Sequence, residues 1–354
     1  MYLSILIFFF SFLYSLPSYA IKEKSGCINC HVNPTGGVMR NDYGSNIYSF
    51  DELTIRKWIT KDEKEFDGFI TDNIQIGGEF RIQSYDKKIE HSVFPMQIDF
   101  FANIEFDNYS SLFVKYGASS ELYFLFNDMF NLDWIKIGKT TPDYGLKIDD
   151  HTSFIRGGNS SKTYVYSGSV DEGLVFDYAN TYQDPFLLQF SSKLKKVNIV
   201  SSIGSGIIDN GNTNLAINLI YRNNLDLGSM MFGASFMKEE QFNMYGIYSG
   251  ISRGKITISS ELDFANNWIS NYTSMAGYYE FLYVPIQGVH LTAKYDYFDK
   301  NYNVSDGAVE RYSFGVNFFP INLVEIKFQL REYELHSINF KPNTEYLVQL
   351  HTWF

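Results

Sequence analysis

Cysteine is almost absent from this sequence: the 354 residues hold two. A structural zinc site built on cysteine needs four ligands and is left short. Positive charge is also scarce, with 29 Lys and Arg against 40 Asp and Glu, a formal net charge of -11. That balance argues against nucleic acid as a partner. Beyond the first twenty residues no apolar run approaches the roughly 18 residues of a spanning helix. Proline is scarce, at eight, and no long internal repeat is evident. Aromatic residues are abundant instead, with 32 Phe and 27 Tyr.

Both cysteines fall in one pentapeptide, Cys27-Ile28-Asn29-Cys30-His31. Two thiols three residues apart, followed at once by an imidazole, form the C-x-x-C-H pattern of covalent c-type haem attachment. The thiols add to the two vinyl groups of the porphyrin, so they must lie about one helical turn apart. The adjacent histidine then meets the iron from the proximal side. A redox C-x-x-C normally accompanies a βαβ pattern, which this chain lacks. Cys27 and Cys30 are therefore read as attachment sites for one haem c and His31 as its proximal ligand.

Residues 1–20 read as a secretory signal. Ile5 to Phe12 is an apolar core, and Ser18-Tyr19-Ala20 is a small-x-small cleavage site, although the first basic residue is Lys22. Export fits c-type haem, which is attached outside the bacterial cytoplasm. Residues 21–72 read as the haem-binding segment and its linker. Asn33-Pro34-Thr35-Gly36-Gly37 is a turn that brings the chain back past the porphyrin. Val38 to Phe50 is expected as a short helix carrying Met39, Arg40 and Tyr43. Met39 is a candidate distal ligand, because a thioether raises the potential of a His-ligated haem, although a methionine here is more often a packing residue near the ring. Arg40 suits a haem propionate or plain solvent. Leu53 to Phe66 reads as a short helix or linker.

From residue 73 to 354 the hydropathy period is two. Ile74, Ile76, Phe80 and Ile82 alternate with Gln75, Glu79, Arg81 and Gln83. Ile256, Ile258, Leu262 and Phe264 alternate with Thr257, Glu261 and Asp263. Each run is about 9–11 residues, the length of a tilted spanning strand. One face is apolar and the other carries charge, as a transmembrane barrel with a wet lumen requires. Seventeen such runs extend from 73–85 to 344–354, among them 95–107 and 172–180. Bacterial barrels have even strand numbers, so about 16 are expected. Asp209-Asn210-Gly211-Asn212 and Asn223-Asn224 read as turns. Aromatic pairs at Phe318-Phe319, Tyr278-Tyr279 and Trp353-Phe354 read as interfacial girdles at strand ends. The fold class is all-β, an antiparallel up-and-down transmembrane barrel behind a short haem segment with little helix.

Residues 138–156 break the alternation and read as a loop folded into the lumen. His151 in this loop is a second candidate distal ligand or a polar loop residue. His290 and His351 lie on the faces assigned to the lumen, where hydration accounts for them. His91 and His336 read as turn residues. Asp99, Glu105, Glu261 and Asp263 would give the lumen a preference for cations.

With Cys27, Cys30 and His31 ahead of these strands, the chain resembles the outer-membrane fused cytochrome–porins, in which one c-type haem precedes a porin-like barrel. Asn33-Pro34-Thr35-Gly36-Gly37 and Asp150-His151-Thr152-Ser153-Phe154 look like a wider group of single-haem outer-membrane proteins. The resemblance implies an outer-membrane location, lipid around the barrel and the haem segment on the periplasmic side or in the lumen. It implies electron transfer, rather than conventional enzymology, between an external or lumen-accessible partner such as a metal ion and periplasmic carriers such as soluble cytochromes. Iron-oxidising members take ferrous iron. Two alternatives stand beside it: a porin whose haem segment is a plug, and a haem-based sensor with an open distal site.

Overall fold

Alternating side chains project from opposite faces of an extended backbone, so the period-two runs become strands with one polar and one apolar face. The computed structural model describes residues 18–23, 25–37, 39–55, 68–87, 90–117, 120–146, 153–156, 185–207, 211–225, 228–267, 271–304, 308–335 and 343–354. Its strands are β1 (Phe69–Thr71), β2 (Ile74–Lys87), β3 (Glu90–Glu105), β4 (Ser110–Tyr116), β5 (Glu121–Asn127), β6 (Trp134–Lys139), β7 (Phe186–Leu194), β8 (Val197–Ser205), β9 (Thr213–Leu225), β10 (Gly228–Glu239), β11 (Phe242–Arg253), β12 (Ile256–Asn266), β13 (Thr273–Ile286), β14 (Val289–Asp299), β15 (Val309–Phe318), β16 (Val324–Leu335) and β17 (Asn343–Trp353).

Each strand from β2 onward pairs antiparallel with the next, and β17 pairs back onto β2, placing Trp353 opposite Glu79 and Leu350 opposite Ile82. Gly78 and Phe354 extend the seam by exchanging N–H···O bonds of 3.1 and 3.0 Å. The result is a closed barrel of 16 strands, with β1 a short addition beside the start of β2. Closure leaves no sheet edge unpaired, which lipid requires. Among the described residues no helix is long and apolar enough to cross a membrane.

The outward face is apolar. Phe100, Leu122, Phe124, Ile247, Phe314 and Phe328 are exposed on it, and Phe80 stacks on Phe354 at a centroid distance of 6.0 Å across the closing seam. The inward face is polar and buried: Arg311 and Asp296 are 0 % exposed and Arg331 2 %. So the charged faces do line the interior, and other parts of the chain pack against them there.

Several local expectations differ from the structure. β3 begins at Glu90 rather than 95, because Pro95 sits at a bulge: Arg81 pairs with Gln97 and Ile82 with Pro95. A bulge is where a strand accommodates a residue without an N–H. His91 consequently lies in β3, not in a turn, and its Nδ1 is 3.0 Å from Asp86. Asn223-Asn224 lies inside β9, opposite Met230 and Ser229. Tyr278-Tyr279 is in mid-strand; Tyr278 points inward and is 0 % exposed. Phe319 and Trp353 also pack inside. The expected strand at 172–180, His336, residues 209–210 and all of 56–66 lie outside the described residues.

The two barrel ends differ. One carries the connections 195–196, 226–227, 254–255 and 287–288; the other carries 206–212, 300–308 and the long 140–185. The amino-terminal segment enters the lumen at the short-turn end, where Ile55 N–H bonds the Phe319 carbonyl and Gln287 Nε2 donates to the Asp51 carbonyl. A short helix, α1 (Ser18–Lys22), straddles the end of the expected signal sequence and packs on β10, β11 and β12.

Candidate functional site

Cys27–Asn29 forms a single 3-10 turn after an extended Gly26. Cys30 N–H and His31 N–H both donate to the Cys27 carbonyl, at 3.1 and 2.9 Å. In such a turn residues three apart share a face, so both thiols lie on one side with His31 following. Neither cysteine is in a disulfide, and both are half-buried.

The chain then folds back as a narrow hairpin. Val32 N–H donates to the Met39 carbonyl, His31 pairs with Arg40, and Asn41 N–H donates to the Cys30 carbonyl. Asn41 Nδ2 also donates to the carbonyls of Ile28 and Asn29. These bonds are of two-stranded type, so Met39 and Arg40 are not in the expected helix. A helix of wide, π-type pitch begins later and spans Tyr43–Leu53. Its Gly44 lies against the Cys30 carbonyl, which a Cβ would approach to 2.1 Å.

The hairpin tip is the Asn33–Gly37 turn. Asn33 Oδ1 accepts from Thr35 N–H and Thr35 Oγ1, and from Lys136 Nζ on β6 at 3.3 Å. Lys136, Asn33 and Thr35 are all buried. Gly36 adopts φ +88°, and a Cβ there would sit 2.9 Å from Cys27 Sγ. The turn thus lies against the first thiol, and only a residue without Cβ permits it.

Two clusters seat the hairpin against the wall. Met39 joins Phe101, Phe113, Tyr123, Leu125, Trp134 and Val200, and is 3 % exposed. Its thioether is committed to wall packing, which favours the packing role over the distal one. Cys30 packs on Tyr48, Leu53, Phe319 and Trp353. The Arg40 guanidinium stacks over Trp353 at 4.0 Å. Burial pushes the Cys30 thiol above its ordinary pKa, an effect that Arg40 opposes. Burial likewise holds the Tyr48 phenol neutral, far above its ordinary range. Tyr48 Oη and Trp353 Nε1 are buried without a hydrogen-bond acceptor among the described residues.

The described parts of the expected 138–156 loop, residues 140–146 and 153–156, also fold inward, whereas Gly138 and Lys139 belong to β6. Tyr144 Oη donates to Asp263, Leu146 N–H to Glu261 and Ser153 Oγ to Asp296, at 3.1, 2.8 and 2.6 Å. Phe154 and Ile155 are 0 % exposed. Arg311 donates two bonds to Asp296 and stacks on Phe154 at 4.6 Å. His151 lies outside the described residues.

The expected cation-attracting carboxylates are engaged within the protein. Asp99 pairs with Lys115 at 3.1 Å, and Asp263 and Glu261 hold the inner loop. Glu105 alone of the four is exposed, at the rim. Neither lumen histidine is simply hydrated. His351 bridges Glu79 and Glu325, each at 2.9 Å. His290 is 2 % exposed, and its hydrogen bond is a long one, 3.4 Å to Tyr19 Oη. The alternation assigned both to the lumen but carried no sign of what covers them there.

Geometry and closure define a porin-like outer-membrane β-barrel. Solved structures agree on that fold. OmpT of Vibrio cholerae, expressed in the outer membrane, is 10 % identical over 81 % of this chain and 99 % of its own, with a TM-score of 0.53. A porin refined at 1.8 Å resolution is 9 % identical over 79 % of this chain and 100 % of its own, with a TM-score of 0.53. A mutant porin of Rh. blastica is 11 % identical over the same shares, with a TM-score of 0.51. Identities this low establish the fold alone. No protein-family model matches the chain, and no curated protein matches it by sequence.

Proposed function

We propose that this chain is an outer-membrane electron-transfer barrel carrying one haem c. In this reading residues 1–20 are removed on export, Cys27 and Cys30 are the thioether attachment sites and His31 is the proximal ligand. The short-turn end, where the amino-terminal segment enters, faces the periplasm, as short turns do in bacterial barrels. The haem segment then meets periplasmic carriers such as soluble cytochromes. A small partner, a metal ion among the candidates, reaches it through the lumen from the other side.

The observation that carries this is the single turn holding two cysteines that are in no disulfide and His31, seated inside the barrel on Gly36 and on the Tyr48–Trp353 cluster. The donor set fits the group. The thiols share a face, the imidazole follows, and Tyr48 Oη and Trp353 Nε1 stand beside Cys30 as unfilled buried donors. When bound, a haem c supplies a one-electron couple whose potential follows its axial ligands and surroundings. The protein's own part is positional. Lys136 and Asn33 fix the turn, Met39 anchors it to the wall, and Arg40 is held on Trp353 with its charge near the site.

A hydrocarbon core of about 25–30 Å is wider than one porphyrin. The account therefore requires either a diffusing partner or a second redox protein. Reconstitution into liposomes tests it: the chain should be reduced by a reagent confined outside and reoxidised by one confined inside. The plug alternative is favoured by the buried Asn33, Thr35 and Ser49 of a segment packed in the lumen. A pure plug would hold back solutes without passing electrons, and deleting the segment would raise conductance with no redox activity to lose. A sensor with an open distal site would bind carbon monoxide.

A further inference from the structure

We propose that a basic sector of the short-turn rim, built by Lys193, Lys195, Lys196 and Arg222, is a docking surface for the acidic face of a soluble protein. In the functional reading above, on which the identity of this partner rests, that protein is the periplasmic electron carrier. The rim at this end is divided by charge. The turns 105–110 and 127–134 carry Glu105, Asp107, Asp128 and Asp133 and no Lys or Arg. The next hairpin around the barrel, β7–β8, reverses the sign, with Lys193, Lys195 and Lys196 within four residues, all exposed. Arg222 on β9 adjoins them, its backbone N–H donating to the Lys196 carbonyl at 3.2 Å.

Among the described residues none of the four has a carboxylate partner. Lys193 and Lys195 make no side-chain hydrogen bond. Lys196 Nζ donates to Asn223 Oδ1 at 2.6 Å and Arg222 to Asn198 Oδ1 at 3.4 Å, both neutral amides. Asp226, in the turn after β9, lies outside the described residues. Further around the rim the balance changes. Lys255 lines a cavity of about 190 Å³ together with Lys22 and Glu52, and Lys22 pairs with Glu52 at 2.9 Å. Carboxylate from the amino-terminal segment therefore offsets the charge there, and the uncompensated part is β7–β9.

Strand alternation aims this charge at the lumen mouth rather than at lipid. Lys193 shares the inward face of β7 with the buried Gln189 and Ser191, while Leu188 and Leu194 take the outward face. Arg222 shares the inward face of β9 with the buried Asn218, and its bond to Asn198 reaches the inner side of β8 two residues from Val200. Val200 belongs to the cluster that seats Met39. A partner held here sits over the mouth on the side where the cysteine hairpin packs. The sign of the patch selects the partner. The chain as a whole carries a formal charge of -11, so an acidic protein is repelled on average and attracted at this sector. The acidic turns beside it repel the same protein on one defined side, which sets its orientation.

The test uses the full mature chain in nanodiscs of neutral phosphatidylcholine, with fluorescent poly-L-glutamate as the acidic probe. The wild type should bind it, and raising the salt from about 0.02 to about 0.2 M should weaken binding severalfold. Lys193→Gln, Lys195→Gln and Lys196→Gln combined should weaken it by about tenfold or more. Lys195→Glu alone, at an exposed turn tip, should weaken it severalfold. Lys238→Glu makes the same charge change near the other end of the barrel, at the exposed end of β10, and should leave binding unaltered. Equal effects of Lys195→Glu and Lys238→Glu, or binding indifferent to salt or to the triple variant, would overturn the inference. So would anionic phospholipid that co-purifies with the wild type and is lost from the triple variant, since headgroups would then cover the lysines. None of these readings needs haem. A haem-bearing chain that fails them leaves the functional reading standing, whereas a colourless chain that passes them upholds the surface and overturns the redox reading.

Discussion

Gly36 and Gly37 form a matched pair for testing whether the hairpin tip positions the first thiol. Both have positive φ, +88° and +72°. Alanine at either carries the cost of the left-handed region, about 1–2 kcal/mol. The surroundings differ. A Cβ at Gly37 meets nothing within 4 Å, whereas one at Gly36 meets Cys27 Sγ at 2.9 Å and Cys27 Cβ at 3.1 Å. Both neighbours belong to the residue that forms the first thioether, so relief requires the whole Cys27 side chain to move by several tenths of an ångström. Gly37→Ala should therefore loosen the hairpin by about 1 kcal/mol, roughly fivefold in its opening equilibrium, and keep full haem content. Gly36→Ala should add displacement of the thiol and cut the fraction of chains carrying haem severalfold. The assay is haem absorbance per barrel in outer-membrane fractions, with opening followed by hydrogen exchange at Val32 and Asn41. Equal haem content in the two variants would refute the argument that Gly36 exists to seat Cys27.

Other consequences are open to measurement. Arg311→Leu removes both bonds to Asp296 and the stack on Phe154; since Lys294 still pairs with Asp296, the loss should be near the low end for a broken buried pair, about 3 kcal/mol in denaturant unfolding. The same variant should free the inner loop and raise conductance, and an unaltered midpoint would contradict the proposed lock. Lys136→Met leaves Asn33 without its link to β6, so protease cleavage within 31–41 should quicken while the barrel stays intact. Asp107, in the turn between β3 and β4, has its pKa lowered by the Tyr109 N–H and by Ser110. Its contribution is present above the ordinary aspartate value of about 3.9 and is lost as pH falls through the lower folded value. Exchange at the Tyr109 amide should rise only in that acid range, and a rise near pH 5 would oppose the assignment.

The barrel was legible because every strand separates two solvents. Lipid on one side and a polar interior on the other write themselves as period two, as in β2 and β12. The break that follows β6 was legible for the same reason, since a chain that leaves the wall loses the alternation, but it starts after Lys139 rather than at Gly138. Packing inside the lumen was not. A polar inward residue looks the same in sequence whether it meets water, as was expected of His351, or Glu79 and Glu325, as found. Asp99 reads as a free carboxylate until Lys115, on the neighbouring strand, is brought to 3.1 Å. Local composition places Met39 and Arg40 in a helix, whereas hairpin bonds from Val32 and Asn41 decide their backbone. His290 gave no signal, because Tyr19, which covers it, is 271 positions away.

Covalent haem stoichiometry is the most direct test of the central claim. The mature chain purified from outer membranes should show the mass of its polypeptide plus one haem, stain after denaturation and contain no titratable thiol. Cys27→Ala combined with Cys30→Ala should lose the stain and keep the heat-resistant barrel. A colourless wild-type barrel with two free thiols and polypeptide mass alone would contradict the account.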